Sequence, residues 1–303
     1  MWCSDVANTP SLFVCVAPDD LRPLVDPLSG RVTVDERRAA LSASDAAAVE
    51  YALRMGEAWG LPVVAITVGP PEWEVALAEV AALGATVCRV DTGRNGAPRD
   101  LSPAEIAGDP PWVAGQLAEQ IRRAGPAAMV VCGDRSARHG VGAVPGLLAA
   151  KLRMPHALGL VAVEMTGYLT LRVDKRLEGG WRERIAVTSP SVLSVEAAGV
   201  RLRRADLRSL IGAPRDVAEV VSAVEVELPG TVDLAAPQAY RPRALRVAPP
   251  LGDAHERLVA LAGANVTGST NRVIGPLDPE EATDELVAFL SAHGYLAGET
   301  SSA

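Results

Sequence analysis

The stretch AAMVVCGDRSARHGVGAVPGLLAAKLRMP, residues 127–155, decides the fold. Met129, Val130 and Val131 form an apolar run that suits a buried strand. Glycines at 133, 140, 142 and 146 break that run into a loop, and Leu147, Leu148 and Leu152 resume with helical spacing. Such a strand, glycine-rich turn and helix start can cradle an anion, because the first turn of a helix leaves N–H groups unpaired and glycine lets a phosphate approach the backbone. Neither a phosphate-binding loop with its Gly-Lys-Ser/Thr ending nor the dinucleotide pattern GxGxxG is present. The same residues therefore read equally as a βα turn that only reverses the chain.

Working upstream, LFVCV (12–16), LPVVAITV (61–68) and residues 85–90 are short apolar runs of strand character. Between them lie helical patterns at 46–59, where Ser44 and Asp45 offer an oxygen-bearing N-cap, and at 72–83; a further helix at 112–124 precedes the strand at 129–132. The turn DPLSG (26–30) leads into a short strand at 32–34, and the Pro- and Gly-rich excursion 92–111 reads as a surface loop. This βαβαβαβ alternation predicts an α/β sandwich: a parallel sheet covered on both faces, with ligands beyond the carboxyl ends of the strands. Downstream, 158–187 alternates with turns at Thr166-Gly167 and Gly179-Gly180, which predicts an antiparallel hairpin extension, and 192–195 returns to a strand. Arg201, Arg203, Arg204 and Arg208 read as a solvated helix face. Residues 229–250 are Pro-rich and aperiodic, and 280–293 is an apolar-striped helix after Asp278-Pro279. The expected division is an α/β domain over 1–228 and an extended C-terminal arm with its terminal helix over 229–303. That helix needs a surface to pack on, in its own domain or in another subunit.

Composition narrows the function. With 303 residues, 49% hydrophobic content and a mean hydropathy of +0.16, the chain buries a substantial core, and only two Phe make that core aliphatic. A net charge of -8 argues against a nucleic-acid binder. Cys3, Cys15, Cys88 and Cys132 are scattered without metal or disulfide spacing, which suggests reduced thiols in a cytoplasmic protein. No signal peptide or membrane-inserted run is expected, and with four His and no carboxylate pair an enzyme is disfavoured.

Residues 173–194, VDKRLEGGWRERIAVTSPSVLS, resemble the signature of the electron transfer flavoprotein beta subunit. Val173, Lys175, Glu178, Gly179, Gly180, Glu183, Ile185, Pro190, Val192 and Leu193 occupy its places in order, and only Ser194 departs. Further segments are similar to the same family: SASDAAAVEYALRM (42–55), VVAITVGP (63–70) and ALAEVAALGAT (76–86). In the opening stretch Gly133, Ser136, Gly142, Val144, Leu148, Ala149, Leu152 and Pro155 are kept. The resemblance covers residues 12–213 and implies a parallel-sheet nucleotide-binding sandwich of the adenine nucleotide alpha hydrolase-like kind.

The resemblance implies a heterodimer in which an alpha subunit holds a redox-active FAD and this chain holds an adenine nucleotide, usually AMP, with a structural role. Electrons from flavin-dependent dehydrogenases would pass through the alpha FAD to a quinone oxidoreductase or another acceptor, and the beta chain would have no catalytic residue of its own. The family's nucleotide site falls here on Cys15, Val16, Ser42, Ser44, Asp45, Val68, Cys132, Gly133, Arg135, Ser136, Arg138, Gly140, Val141, Gly142, Ala143 and Val144. For Ser42, Ser44 and Asp45, simple N-capping is the competing reading, and Cys15 and Cys132 read as apolar packing at the site's edge. Arg135 and Arg138 replace Gln and Asp of the family pattern. Two added cations raise the alternative of ADP or a second FAD in place of AMP. The loop implied to dock partner dehydrogenases falls on Glu196, Ala197, Ala198, Gly199, Val200 and Arg201. Its aliphatic anchor positions become Ala197 and Gly199, which predicts a different dehydrogenase partner. A competing reading is a nucleotide-binding protein of this fold that has no electron-transfer role.

Overall fold

Strand β1 (Ser11–Cys15) is buried along its whole length and lies between two parallel neighbours, β2 (Val63–Gly69) and β4 (Ala127–Gly133). The computed structural model describes residues 9–92, 109–137, 140–197, 200–212, 218–224, 252–261 and 276–292. The chain divides into two compact units, Met1–Asp233 and Leu234–Ala303.

The first unit is built on a nine-stranded sheet among the described residues. With β3 (Thr86–Asp91), β5 (His156–Gly167), β6 (Thr170–Arg176), β7 (Arg182–Thr188), β8 (Ser191–Val195) and β9 (Glu219–Ser222), its order is β7-β6-β5-β8-β4-β1-β2-β3-β9. Pairing is parallel from β5 through β8, β4, β1, β2 and β3 to β9, and antiparallel from β5 to β6 and β6 to β7. The α/β sandwich with an antiparallel hairpin extension is therefore the architecture.

Side-chain alternation along β1 separates the two faces. Leu12 and Val14 join the core made with α1 (Ala43–Trp59) and with Leu77 and Val80 of α2 (Glu74–Ala82). Phe13 and Cys15 join the opposite core, made with Trp112, Leu117 and Ile121 of α3 (Pro110–Ala124) and Leu148 and Ala149 of α4 (Ala143–Leu152). Strands buried on both faces read as continuous apolar runs, which is why β1, β2 and β4 are legible in sequence.

Strand β9 has no counterpart in the sequence reading. It extends the sheet beside β3, and Gln116 of α3 clamps the chain just beyond it. The buried Gln116 amide donates from Nε2 to the Val224 carbonyl at 2.6 Å and accepts the Val224 N–H at Oε1 at 2.9 Å. Removing this clamp strands polar backbone, so Gln116→Ala is expected to cost about 1–2 kcal/mol. Amide exchange should quicken in β9 before β1 or β4, and uniform exchange across the sheet would show that the clamp does not hold the edge.

Three local expectations are corrected. α1 begins at Ala43, because Ser42 adopts extended backbone (φ -62, ψ 161) and its hydroxyl accepts the Asp45 N–H; Ser44 and Asp45 lie inside the first turn. The first hairpin turns at Tyr168 and Leu169, after β5 has continued through Gly167, and Leu169 takes the positive φ of 56 that the reversal needs. Residues 201–206 are not helical; the short helix α5 (Leu207–Gly212) starts after most of the basic run.

In the second unit the structure describes two helices, α6 (Ala254–Leu261) and α7 (Pro279–Ala292). α6, absent from the sequence reading, opens with a capping box: Asp253 accepts the Glu256 N–H at 2.8 Å and Glu256 accepts the Asp253 N–H at 3.0 Å. Asp278 caps α7 through the N–H groups of Glu280 and Glu281. The expected arm at 229–250 and much of the 92–111 excursion lie outside the described residues.

Candidate functional site

From β1 the chain runs to β2 on one side and later returns to place β4 on the other, so the carboxyl ends of β1 and β4 flank a topological switch point. Connections diverging from that point leave a crevice. A cleft open to solvent occupies it. Cys15, Val16 and Ala17 come from the end of β1, Val68 from β2, Cys132 and Gly133 from β4, and Asp45 from the first turn of α1. Pro110, Val113 and Leu117 of α3 face them together with Trp73. Arg135, Ser136, Val141, Val144 and Pro145 complete the rim.

Asp45 is the polar centre of the cleft and is itself buried. Its Oδ2 accepts the Ala17 N–H at 3.4 Å, from the end of β1. On its other side is Gly133, where an added Cβ would stand 2.5 Å from Asp45 Oδ1 and 2.9 Å from the Ser44 hydroxyl. Only glycine lets the end of β4 approach the start of α1 so closely. The carboxyl group thus braces the ends of the two strands at the switch point. Burial pushes its pKa up to about 7, a rise opposed by hydrogen bonds from the Ser42 hydroxyl and the Ala17 and Gly133 backbone, and added to by the nearby Asp134.

Cys15 and Cys132 are in register across β1 and β4, both buried and both free thiols. A hydrogen bond with Cys15, burial and the neighbouring Asp45 hold the Cys132 thiol well above its ordinary pKa, so at neutral pH it stays protonated. Among the described residues no group of three His, Cys, Asp or Glu side chains could hold a metal ion, and no helix is long and apolar enough to cross a membrane.

The glycine-rich loop closes on its own backbone. The Ser136 N–H donates to the Val141 carbonyl at 3.0 Å and the Gly140 N–H to the Ser136 carbonyl at 2.8 Å, so these donors are engaged within the loop. Arg135 reaches the rim, where its Nε lies 3.2 Å from Asp134 Oδ2, and its side chain is largely exposed. Ser42 and Ser44, with their hydroxyls 3.1 Å apart, do not line the cleft, nor do Gly140 and Gly142 of the loop or Ala143 at the start of α4. Arg138 is outside the described residues.

Ala17, Trp73, Pro110, Val113, Leu117 and Pro145 were not foreseen. Topology brings the start of α3 back over the end of β1, a long-range placement that no local pattern encodes. Trp73 had a local signal, an aromatic four residues past the last glycine of β2 at the sheet's carboxyl edge.

Beyond β8, Glu196 pairs with Arg176 at 3.2 Å and donates its N–H to the Leu160 carbonyl at 2.8 Å. Ala197 and Arg201 are exposed, whereas Val200 and Leu202 pack against the α1-side core. Ala198 and Gly199 are outside the described residues. Arg203 is tied to α1: it donates to the buried Glu50 from Nε and Nη2, each at 3.1 Å, and forms an ion pair with Glu57.

The family model of the electron transfer flavoprotein domain matches residues 31–206, a span that includes α1, the glycine-rich loop, the antiparallel hairpins and Arg203. The acryloyl-CoA reductase electron transfer subunit gamma of Anaerotignum propionicum is 27% identical over 188 residues, covering 60% of this chain and 66% of that protein. The chain therefore spans just under two thirds of that relative's length.

Proposed function

We propose, from the premise that this chain belongs to the electron transfer flavoprotein family, that it is the beta-type subunit of a heterodimer and holds an adenine nucleotide in the switch-point cleft. Membership of the family points to an electron-transfer role. The observation that supports the finer reading is the cleft itself: a mostly aliphatic slot at the carboxyl ends of β1, β2 and β4, with a buried carboxyl at its centre and, among the described residues, Arg135 as the cation at its rim. Apolar walls with few placed polar groups suit a flat base and a single anionic group. AMP is the occupant we propose: among the described residues Arg135 is the cation at the rim, and it is already paired with Asp134. In this reading the nucleotide is structural and the redox-active FAD belongs to the partner alpha subunit, which supplies the one-electron and two-electron chemistry when bound. The chain's own residues bind and orient rather than catalyse.

Segment 196–204 is the proposed contact for flavin-dependent dehydrogenases. Among its described residues the aliphatic side chains Val200 and Leu202 turn inward and Ala197 stays outside, which supports a weak apolar anchor and hence a dehydrogenase other than the usual acyl-CoA type. Purification of the chain with its co-expressed partner, followed by mass spectrometry of the released small molecules, tests the assignment. AMP and FAD in equal amounts are expected. Release of no adenine nucleotide overturns the cleft reading, and release of ADP or twofold FAD overturns the choice of AMP.

A further inference from the structure

Arg89 of β3 is buried, 4% exposed, and does not line the cleft. Its guanidinium joins three chain ends at the carboxyl edge of the sheet. Nε donates to Glu74 Oε1 at 2.8 Å, and Nη1 donates to the Gly69 carbonyl at 3.1 Å and to Asp91 Oδ1 at 3.0 Å. Gly69 is the last residue of β2, Glu74 the first of α2 and Asp91 the last of β3. Arg89 therefore grips both ends of the turn 70–73 and ties them to the neighbouring strand. That turn belongs to the site, because Val68 just before it and Trp73 at its end both line the cleft.

The turn is stiff within itself. Pro70 and Pro71 fix two φ angles, Pro71–Trp73 forms a 3-10 turn, and the Trp73 N–H donates to the Pro70 carbonyl at 3.2 Å. A stiff turn moves as one piece, so its placement against the sheet is set by whatever holds its two ends. Gly69 has no side chain for that task; the guanidinium holds its carbonyl and the Glu74 carboxylate together. A buried ion pair adds little net stability over apolar side chains of similar volume. What it adds is direction, because the planar fork of arginine sends its N–H groups to fixed places, as a lysine ammonium does not. We propose that Arg89 is a positioning residue of the cleft: it sets the β2 wall through Gly69 and Glu74, so that ligand affinity depends on a guanidinium that does not touch the ligand. The proposal rests on the nucleotide reading and adds the support on which one wall of the site depends.

The test uses the full chain freed of endogenous nucleotide, titrated with AMP by calorimetry, with amide exchange and urea unfolding measured on the same proteins. The double variant Arg89→Met, Glu74→Met removes both buried partners and leaves Asp91, whose side chain is 44% exposed, to water. It is expected to unfold at close to the wild-type urea concentration. It should nevertheless bind AMP about tenfold more weakly, the lower end of what loss of an orienting outer partner costs at metal sites. Exchange of the Trp73 and Glu74 N–H groups, which report the turn and the start of α2, should quicken. Arg89→Lys keeps the charge without the fork, and its affinity should fall between the two. A merely structural Arg89 would give the opposite pattern, a lowered urea midpoint with AMP affinity and turn exchange unchanged, and that result overturns the positioning role alone. A wild type that binds no AMP overturns the nucleotide reading and this proposal with it. Should the double variant fail to fold, Arg89→Lys decides by the same two readouts: weaker AMP binding with faster turn exchange supports the role, and wild-type values overturn it.

Discussion

Asp45→Asn is expected to stabilise the folded first unit at pH 8 by up to about 4 kcal/mol, with the gain vanishing as the pH falls toward 4. The sign follows from burial. In the unfolded chain this carboxyl ionises near its ordinary value of 3.8, whereas in the fold burial pushes it up to about 7. Between those values the native state retains a proton that the unfolded chain has released, so stability attached to this group is complete below the unfolded value and is lost as pH rises through the folded one. Asparagine imitates the protonated form and removes the loss. Urea unfolding followed by the fluorescence of the five tryptophans, Trp2, Trp59, Trp73, Trp112 and Trp181, at pH 4, 6 and 8 reads the difference between the two proteins. Groups elsewhere with ordinary behaviour cancel in that difference. Curves that run parallel from pH 4 to 8 would show that Asp45 is ionised in the fold at little cost, and the account of its environment given above would be wrong. A carboxyl kept at such a cost at the centre of a cleft is the kind of compromise that binding sites show, since residues are held there for a ligand rather than for stability.

How much of this was legible beforehand divides along physical lines. β1, β2 and β4 announce themselves because strands covered on both faces must be apolar throughout, and the alternation of such runs with helical periods leaves few topologies other than a parallel sheet. The strand-end part of the cleft follows from that topology and from the family resemblance: Cys15, Val16, Asp45, Val68, Cys132, Gly133, Arg135, Ser136, Val141 and Val144 do come together. The role of Gly133 was less visible, because the space its missing side chain leaves is filled by the first turn of α1, a contact made across 88 residues of chain. β9 escaped notice because residues 219–222 are half-exposed edge residues whose position depends on the Gln116 clamp. In sequence Arg203 looks like one of several solvated cations, because charge runs carry no information about distant partners. Its ion pairs to Glu50 and Glu57 are made to another element altogether.

Arg203→Met is expected to destabilise the first unit by about 3 kcal/mol at pH 7, the lower end of the cost of leaving a buried charge without its partner. Burial alone would raise the Glu50 pKa, but hydrogen bonds from Arg203 and Arg54 hold it below its ordinary value of 4.5. Glu50 therefore contributes stability that is present above that value and is lost as pH falls through the depressed folded one. Without Arg203 only Arg54 remains, at 2.7 Å, and half of its own side chain is in solvent. The penalty of the substitution should accordingly be greatest near neutrality and shrink below about pH 4.5, where Glu50 can protonate. Glu50→Gln in the Arg203→Met background should recover part of the loss, and the cycle of single and double variants isolates the pair from the packing of the Arg203 stem. An equal penalty at pH 4 and pH 7, with no recovery in the double variant, would assign the effect to packing alone. Amide exchange should also quicken in residues 200–206, because the Arg203 N–H itself donates to Glu50 at 3.1 Å and that contact fixes the segment on α1. The helix whose first turn supplies Asp45 to the cleft is the one whose second turn holds the proposed docking segment, so a single rigid element orients both surfaces.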